Sequence, residues 1–269
     1  MKRAAVGVAL LIVLAGAASF GPATEAGAAV TANDPAAGSR QSQPRADPMT
    51  APLDEKLGAS RRSDPGTAQD YAQVVMSFRD DADQGDARAQ VVLGVMYANG
   101  NGVRQDYVLA HLWFMRGAAR GDTAAQLNLG DMYAGGLGVP KDYAEALRWY
   151  RKAADQGFVH AQNSLGSMYH DGLGVPKDDA EAARWYRRAA EQDDVRAQTN
   201  LAFMYANGLG VPLDLVEAHK WYNLASNRYV TSDREGREIA ARERDLVAAR
   251  MTAAQIGQAQ KLAREWRPR

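Results

Sequence analysis

A period of 36 residues runs through the middle of this sequence and limits what it can fold into. Four consecutive units begin at Gln90, Gln126, Gln162 and Gln198. Each unit repeats the same order of residues: Ala-Gln, a Leu three positions on, Met-Tyr, a G-x-G-V segment, an Asp, an Ala four residues later and a Trp. A fixed period of this length is typical of repeat proteins, in which each unit buries its apolar face against the next.

Apolar residues at helical spacing predict two α-helices in each unit. Small residues in both stripes would let the two helices approach closely, while Trp and Tyr fill the space between units. In the first unit the predicted stripes are Ala89, Leu93, Gly94, Met96 and Tyr97 for the first helix, and Ala110, Trp113, Phe114, Gly117 and Ala118 for the second helix.

Turn and capping residues mark where these helices end and begin. The G-x-G segments supply glycines for the positive φ that commonly ends a helix. In three units an Asp is followed three residues later by Glu, the pattern of a capping box at the start of the second helix. The pairs are Asp142 with Glu145, Asp178 with Glu181, and Asp214 with Glu217; in the first unit Leu109 replaces the Glu.

The pattern also predicts how the array begins and ends. Asp70-Tyr71, Phe78, Ala82 and Gly85 lie one period before their counterparts, so residues 67–86 should form a half repeat with a lone second helix. The repeats should extend to 232, and 233–269 should form a capping helix pair, because a repeat array needs covered ends. One capping stripe is Ile239, Leu246, Val247 and Met251; the last helix, capped by Thr252 and Gln255, carries Ile256, Ala259, Leu262, Ala263 and Trp266.

The first 66 residues have a different composition. Lys2 and Arg3 precede an apolar run, and Ala26-Gly27-Ala28 is an A-x-A-like cleavage site, so residues 1–28 are predicted to be a signal peptide. A membrane anchor is the alternative, but the apolar core is short for a bilayer. Residues 29–66 are rich in Pro, Ala and Ser and are predicted to be a disordered linker. We therefore expect a periplasmic or secreted protein without stable membrane insertion after cleavage.

Composition and motif searches argue against several kinds of function. The 269 residues contain 32 Lys and Arg against 32 Asp and Glu, so no net positive charge favours a nucleic acid. The absence of cysteine excludes disulfides and thiolate sites. The G-x-G segments follow helices rather than strands, the four histidines lack metal-ligand spacing, and neither G-x-S-x-G nor S-x-x-K occurs. We expect no cofactor, no metal and no catalytic residue.

The repeat resembles the Sel-one-like repeat (SLR) family, a branch of the tetratricopeptide-like proteins. The pattern L-G-x-M-Y-x-x-G-x-G-V-x-x-D-x-x-x-A-x-x-W-Y-x-x-A-A occurs at 129–154 and again at 165–190. The chain departs from it at Ala202, Asp193 and Tyr229, where other units have Gly. The resemblance implies an all-α fold, an α/α solenoid wound as a right-handed superhelix. It also implies protein–protein contacts, often as an adaptor in envelope biogenesis, signalling or host interaction.

The apolar stripe of the first helix keeps the same residues in all four units except at Ala202, whereas the residues on the opposite arc differ from unit to unit. We take this arc as a candidate concave binding face. We expect it to bind an extended segment of a protein or peptide partner, in an interaction scaffold, adaptor or envelope regulator. A plain solvated face is one alternative; a hydrolase acting on peptidoglycan or β-lactams, an activity given to some cysteine-rich relatives, is another. The candidate residues are Asn128, Asp131, His160, Asn163, Ser164, Ser167, Arg196, Asn200 and Phe203.

Overall fold

The computed structural model describes residues 68–228 and 234–268, and in those ranges it contains eleven α-helices and no strand. The predicted signal peptide and linker lie outside these ranges. The helices are α1 Ala68–Asp83, α2 Ala87–Asn99, α3 Tyr107–Ala119, α4 Thr123–Gly135, α5 Tyr143–Asp155, α6 Val159–Asp171, α7 Asp179–Glu191, α8 Val195–Asn207, α9 Leu215–Arg228, α10 Arg234–Ala248 and α11 Ala253–Glu265.

The predicted all-α class with helix-pair repeats is confirmed. The first helices of the four repeats start at 87, 123, 159 and 195, so each begins 36 residues after the last. The chain divides into two compact units, one ending at Pro140 and containing α1–α4, the other starting at Lys141 and containing α5–α11. Within each unit, consecutive helices pack on each other, except that α11 packs on α9 rather than on α10. The handedness of the superhelix stays a prediction.

Both units bury the apolar stripes that the repeat predicts. In the first unit Leu93, Met96 and Trp113 join Val74 and Phe78 of α1 in one cluster. In the second unit a larger cluster extends from α7 to α11 and is built on the Leu, Met, Trp and Tyr positions of the last repeat. The tyrosine of each Met-Tyr pair is only half-buried, because its hydroxyl lies near the surface. Two of these hydroxyls accept hydrogen bonds from arginines of the preceding second helix, Arg151 to Tyr169 and Arg187 to Tyr205.

The predicted glycine ends of the first helices are confirmed. Gly100, Gly136, Gly172 and Gly208 have φ between 65° and 71°. The N–H of each glycine donates to the carbonyl of the Met four residues earlier, which satisfies one of the last free carbonyls of the helix.

The capping-box prediction is only half right for the second helices. Asp178 caps α7 by accepting the N–H of Glu181, but the Glu181 carboxylate pairs with Arg184 at 2.7 Å. The backbone N–H of Asp178, which a capping box would give to the glutamate, donates instead to the carbonyl of Tyr169 at 2.8 Å. Asp214 does the same with Tyr205. The glutamate is thus displaced by a bond to the preceding first helix.

This arrangement predicts unequal effects for the two acidic residues. We expect Asp178→Ala to lower the free energy of unfolding by about 1 kcal/mol, because α7 loses its N-cap. Glu181→Ala should change it by about 0.5 kcal/mol or less, since only an exposed pair with Arg184 is lost. Urea unfolding of the two variants measures the difference, and equal losses would contradict the assignment.

The repeated glutamines have a structural role that their sequence position does not disclose. Gln90, Gln162 and Gln198 are buried, and each side-chain amide donates to the carbonyl eight residues earlier, at 2.9, 3.3 and 3.4 Å. Those carbonyls lie at or near the ends of the preceding second helices, where each also accepts the backbone N–H three residues further on. The glutamine therefore ties each first helix to the helix before it.

The C-terminal helices confirm one prediction and correct another. Thr252 and Gln255 form the predicted capping box at the start of α11. On α10, however, the predicted stripe is wrong at Ile239 and Leu246, which are exposed. Ala240, one residue after Ile239, is buried together with Val247, because the helix is rotated so that its smaller side chains face the core.

α11 covers the end of the second unit. The ring of Trp266 meets the buried ring of Trp221 edge to face, with centroids 5.9 Å apart. No helix in the described ranges is both long and apolar enough to cross a bilayer.

Candidate partner-binding site

The nine predicted site residues fall in both units. Asn128 and Asp131 lie on α4 of the first unit, while the other seven lie on α6 and α8 of the second. The candidate site is the group on α6 and α8.

Three of the predicted residues do not face solvent. Asn128 and Asp131 are each 1% exposed and Ser167 is 7% exposed. The Asn128 amide donates to the carbonyl of Ala124 on its own helix, and the Ser167 hydroxyl accepts the hydroxyl proton of buried Tyr186 at 3.0 Å. The prediction that these positions form an open face is therefore wrong. The buried surface of a first helix is wider than its apolar stripe, and polar side chains at its margins bond inside the protein.

Six predicted residues remain at least partly accessible on two neighbouring first helices. Asn200 of α8 donates from its amide nitrogen to the Asn163 side-chain oxygen of α6, at 3.1 Å. This bond joins the two helices at mid-length and keeps both amides half-buried rather than fully solvated. Partly exposed Ser164 follows Asn163 on the same helix. The six, which we call the first-helix face, are His160, Asn163, Ser164, Arg196, Asn200 and Phe203.

A histidine–carboxylate contact lies at the N-terminal end of the first-helix face. Asp194 is 9% exposed and caps α8 by accepting the N–H of Ala197 at 2.8 Å. Its other carboxylate oxygen lies 3.2 Å from Nδ1 of His160, whose side chain is half exposed. Exposed Arg196 follows two residues after Asp194. A partner reaching this end therefore meets the exposed side chains of His160 and Arg196, beside a buried carboxylate.

The other end contains a pair that the sequence analysis missed. His170 of α6 lies 2.6 Å from the Asp179 carboxylate of α7 through Nδ1, and its ring meets Phe203 edge to face. Lys177 lies 3.6 Å from the other Asp179 oxygen. Burial raises the pKa of the neighbouring Asp171 carboxyl, against the opposing effects of His170 and Lys177. The available signal was that His170 and Asp179 replace the Ala and the Tyr or Leu of the other units.

The described residues do not assemble obvious catalytic machinery here. Ser167 lies one turn before His170, but its hydroxyl proton goes to the carbonyl of Asn163 at 3.4 Å. No group of three or more His, Asp or Glu side chains that could hold a metal ion occurs in the described ranges. The first-helix face presents hydrogen-bonding amides and an aromatic ring, which are groups suited to binding a partner.

Helix pairs repeated every 36 residues, with a polar face on their first helices, define a helical repeat protein. Residues 87–122, 123–158, 159–194 and 195–229 each match the Sel1 repeat. The chain therefore belongs to the Sel1 repeat family, as its resemblance to the SLR proteins indicates. Proteins of this family are generally non-enzymatic scaffolds for protein–protein interaction.

Two solved structures are similar to this chain in sequence and fold. One is c5321, a protective antigen present in uropathogenic Escherichia coli strains that displays an SLR fold; it is 36% identical over 78% of this chain, with a TM-score of 0.65. This chain spans only 44% of that protein. The other is a Sel1 repeat protein from Oxalobacter formigenes, 31% identical over 72% of this chain and 74% of its own length, with a TM-score of 0.58. A comparison with curated proteins found no match.

Proposed function

We propose that the chain is a scaffold that binds an extended segment of a partner protein along the first-helix face of α6 and α8. The observation that carries this proposal is the Asn163–Asn200 hydrogen bond, which holds two amides side by side on neighbouring helices. Fixed side chains lose little conformational entropy when a partner binds. The same bond leaves part of the hydrogen-bonding capacity of both amides for a ligand.

The chemistry of these amides matches an extended peptide backbone. The bond occupies the side-chain oxygen of Asn163 and one N–H of Asn200, so the Asn163 amide nitrogen and the Asn200 oxygen are its unoccupied ends. A backbone carbonyl can accept from the first and a backbone N–H can donate to the second. Phe203 offers an aromatic contact one turn further along α8, and His160 with Arg196 favours an acidic residue at the opposite end of the segment.

We propose further that this binding takes place in the periplasm or outside the cell. The support is the sequence of residues 1–28, with its basic start, apolar run and A-x-A-like site. An envelope regulator would use the same binding surface. Mass spectrometry of the purified protein tests the location, since removal of the first 28 residues or thereabouts gives a mature N-terminus close to Ala29.

Partner capture in cells tests the binding face. We place a benzophenone amino acid at Ser164, which is partly exposed, and identify crosslinked proteins by mass spectrometry. We expect Asn163→Ala/Asn200→Ala/Phe203→Ala to reduce capture of the partner at least tenfold, because the amide pair and the aromatic contact are lost. Asn227→Ala, an exposed asparagine on α9, is the matched control and should leave capture unchanged.

Circular dichroism of all variants checks that the helices remain folded. Equal capture by the triple variant and the control would exclude the first-helix face. Turnover of a chromogenic β-lactam or labelled peptidoglycan by the purified chain, with no captured protein, would instead favour the hydrolase alternative.

A further inference from the structure

The second helix of the first repeat exposes an apolar strip. Val108, Leu109, Leu112 and Met115 of α3 are 58%, 37%, 52% and 37% exposed, and they occupy an arc of about 120° at 100° per residue. Met76 of α1 is 70% exposed and lies 36 residues before Leu112, at the same position of the preceding half repeat. We call these five residues the apolar strip. Contiguous exposed apolar side chains commonly mark an interaction site.

The later repeats show that this strip is specific to the first one. At the positions of Leu109 and Leu112, the next three units have a glutamate and a basic residue that form ion pairs. At the position of Met115 they have Arg151, Arg187 and Asn223. The pairs are Glu145 with Arg148, Glu181 with Arg184 and Glu217 with Lys220, at 2.6, 2.7 and 2.6 Å. The fold therefore accepts charged residues at these positions, and packing within the repeat does not require leucine there.

The two helices that carry the strip lie close to each other. Arg116 of α3 lies 3.8 Å from Asp83 of α1, and Trp113 of α3 belongs to the same buried cluster as Val74 and Phe78 of α1. The two helices are therefore neighbours, with Met76 on one and the other four residues on the next.

We infer that the apolar strip is the docking site for residues 49–57 of the same chain. This segment has the sequence Met-Thr-Ala-Pro-Leu-Asp-Glu-Lys-Leu, and Met49, Leu53 and Leu57 recur every four residues. An apolar residue at every fourth position is a pattern by which short segments bind apolar faces.

The chain connection allows this docking. Ten residues, 58–67, separate Leu57 from the start of α1 and span up to about 35 Å when extended. The 16 residues of α1 are about 24 Å long, so the segment can reach any point along that helix. A short tether also gives the segment an effective concentration in the millimolar range, which lets a small contact form.

The size of the strip favours this segment over a second copy of the chain. Five side chains are far fewer than the 20–30 residues per partner of a standard stable interface, whereas three apolar anchors match a strip of this size. The charges at its edge are mixed, with Arg79 and Arg116 near Asp80 and Asp83, so size and tether length rather than charge select the occupant.

Intramolecular photocrosslinking of the full chain tests this inference. We place a benzophenone amino acid at Glu55, which adjoins the apolar positions without being one of them, and map the product by mass spectrometry. We expect an intrachain crosslink to the peptide containing 107–116. Leu109→Glu/Leu112→Arg, which reproduces the ion pair of the later repeats and should keep α3 folded, should reduce this product at least tenfold.

The matched control is Glu181→Arg/Arg184→Glu, which reverses an ion pair on α7 and leaves the strip intact, so the crosslink should persist. Crosslinks between two chains, to another protein, or to the α2 peptide would each overturn the inference.

Deletion of residues 49–57 supplies a second measurement. It should increase binding of an apolar dye to the wild-type strip and leave the Leu109→Glu/Leu112→Arg chain unchanged; no increase would also overturn it. Neither readout involves α6 or α8, so the result is independent of the proposed function.

Discussion

Gly174→Ala should lower the free energy of unfolding by about 3 kcal/mol, a large effect for a single methyl group. Gly174 has φ +67°, a conformation that costs a non-glycine residue about 1–2 kcal/mol. A Cβ atom there would also lie 2.5 Å from the carbonyl carbon of Tyr143 and 2.8 Å from the N atom of Ala144. Because both contacts are with backbone at the start of α5, no side chain can rotate away to relieve them.

Two other glycines distinguish the cost of the close backbone contact from the cost of the positive φ. Gly157 has φ +86° and open space where a Cβ would lie, so Gly157→Ala should cost only about 1–2 kcal/mol. Gly257 lies within α11 with open space around it, and Gly257→Ala should stabilise the helix by about 0.5–1 kcal/mol. Urea unfolding of the three variants gives the comparison. Equal losses for Gly174→Ala and Gly157→Ala would show that the approach to Tyr143 is not close.

These glycines show where sequence reasoning succeeds and where it stops. The position of G-x-G after an apolar stripe was sufficient to predict positive φ, because that depends on local conformation alone. The close approach of Gly174 to Tyr143 joins residues 31 positions apart. The same contact recurs between Gly210 and Asp179, so the second glycine of the turn is where one repeat meets the next. A periodic sequence shows that such a glycine recurs but not what it touches.

The candidate site was predictable to a similar extent. The helical wheel correctly identified the stripe that packs on the paired helix, but it treated the opposite arc as open. Asn128 and Ser167 are polar and buried because their hydrogen bonds are made within the protein. Polarity alone therefore could not separate them from Asn163 and Asn200, whose bond joins neighbouring first helices.

Residues that break the repeat carry information that the repeat itself lacks. His170 and Asp179 have no counterpart in the other units, and the structure brings them into contact. Leu109 and Leu112 replace an ion pair, and the structure leaves both exposed. In a repeat protein, the shared positions specify the fold, so the exceptions are where specific recognition should be sought.

Two buried tyrosines at equivalent repeat positions make the chain sensitive to alkali. Burial raises the pKa of Tyr186, and the hydrogen bond to Ser167 only partly opposes this effect. Burial likewise raises the pKa of Tyr222, with a further increase from Glu243. In the unfolded chain both phenols ionise near pH 10. Above that pH the folded chain holds two protons that the unfolded chain releases, so the free energy of unfolding falls as pH rises.

We expect the free energy of unfolding to fall by about 2.7 kcal/mol between pH 9 and pH 11 from these two residues, since each contributes about 1.4 kcal/mol one pH unit above its unfolded pKa. Urea unfolding at both pH values measures the fall in the wild-type chain and in Tyr186→Phe/Tyr222→Phe. The double variant loses the bond to Ser167 and should be less stable at pH 9. Between pH 9 and pH 11, however, its free energy of unfolding should not show the decrease that the two tyrosines cause. A fall of the same size in both proteins would assign the alkaline sensitivity to other groups, because phenylalanine has no proton to release.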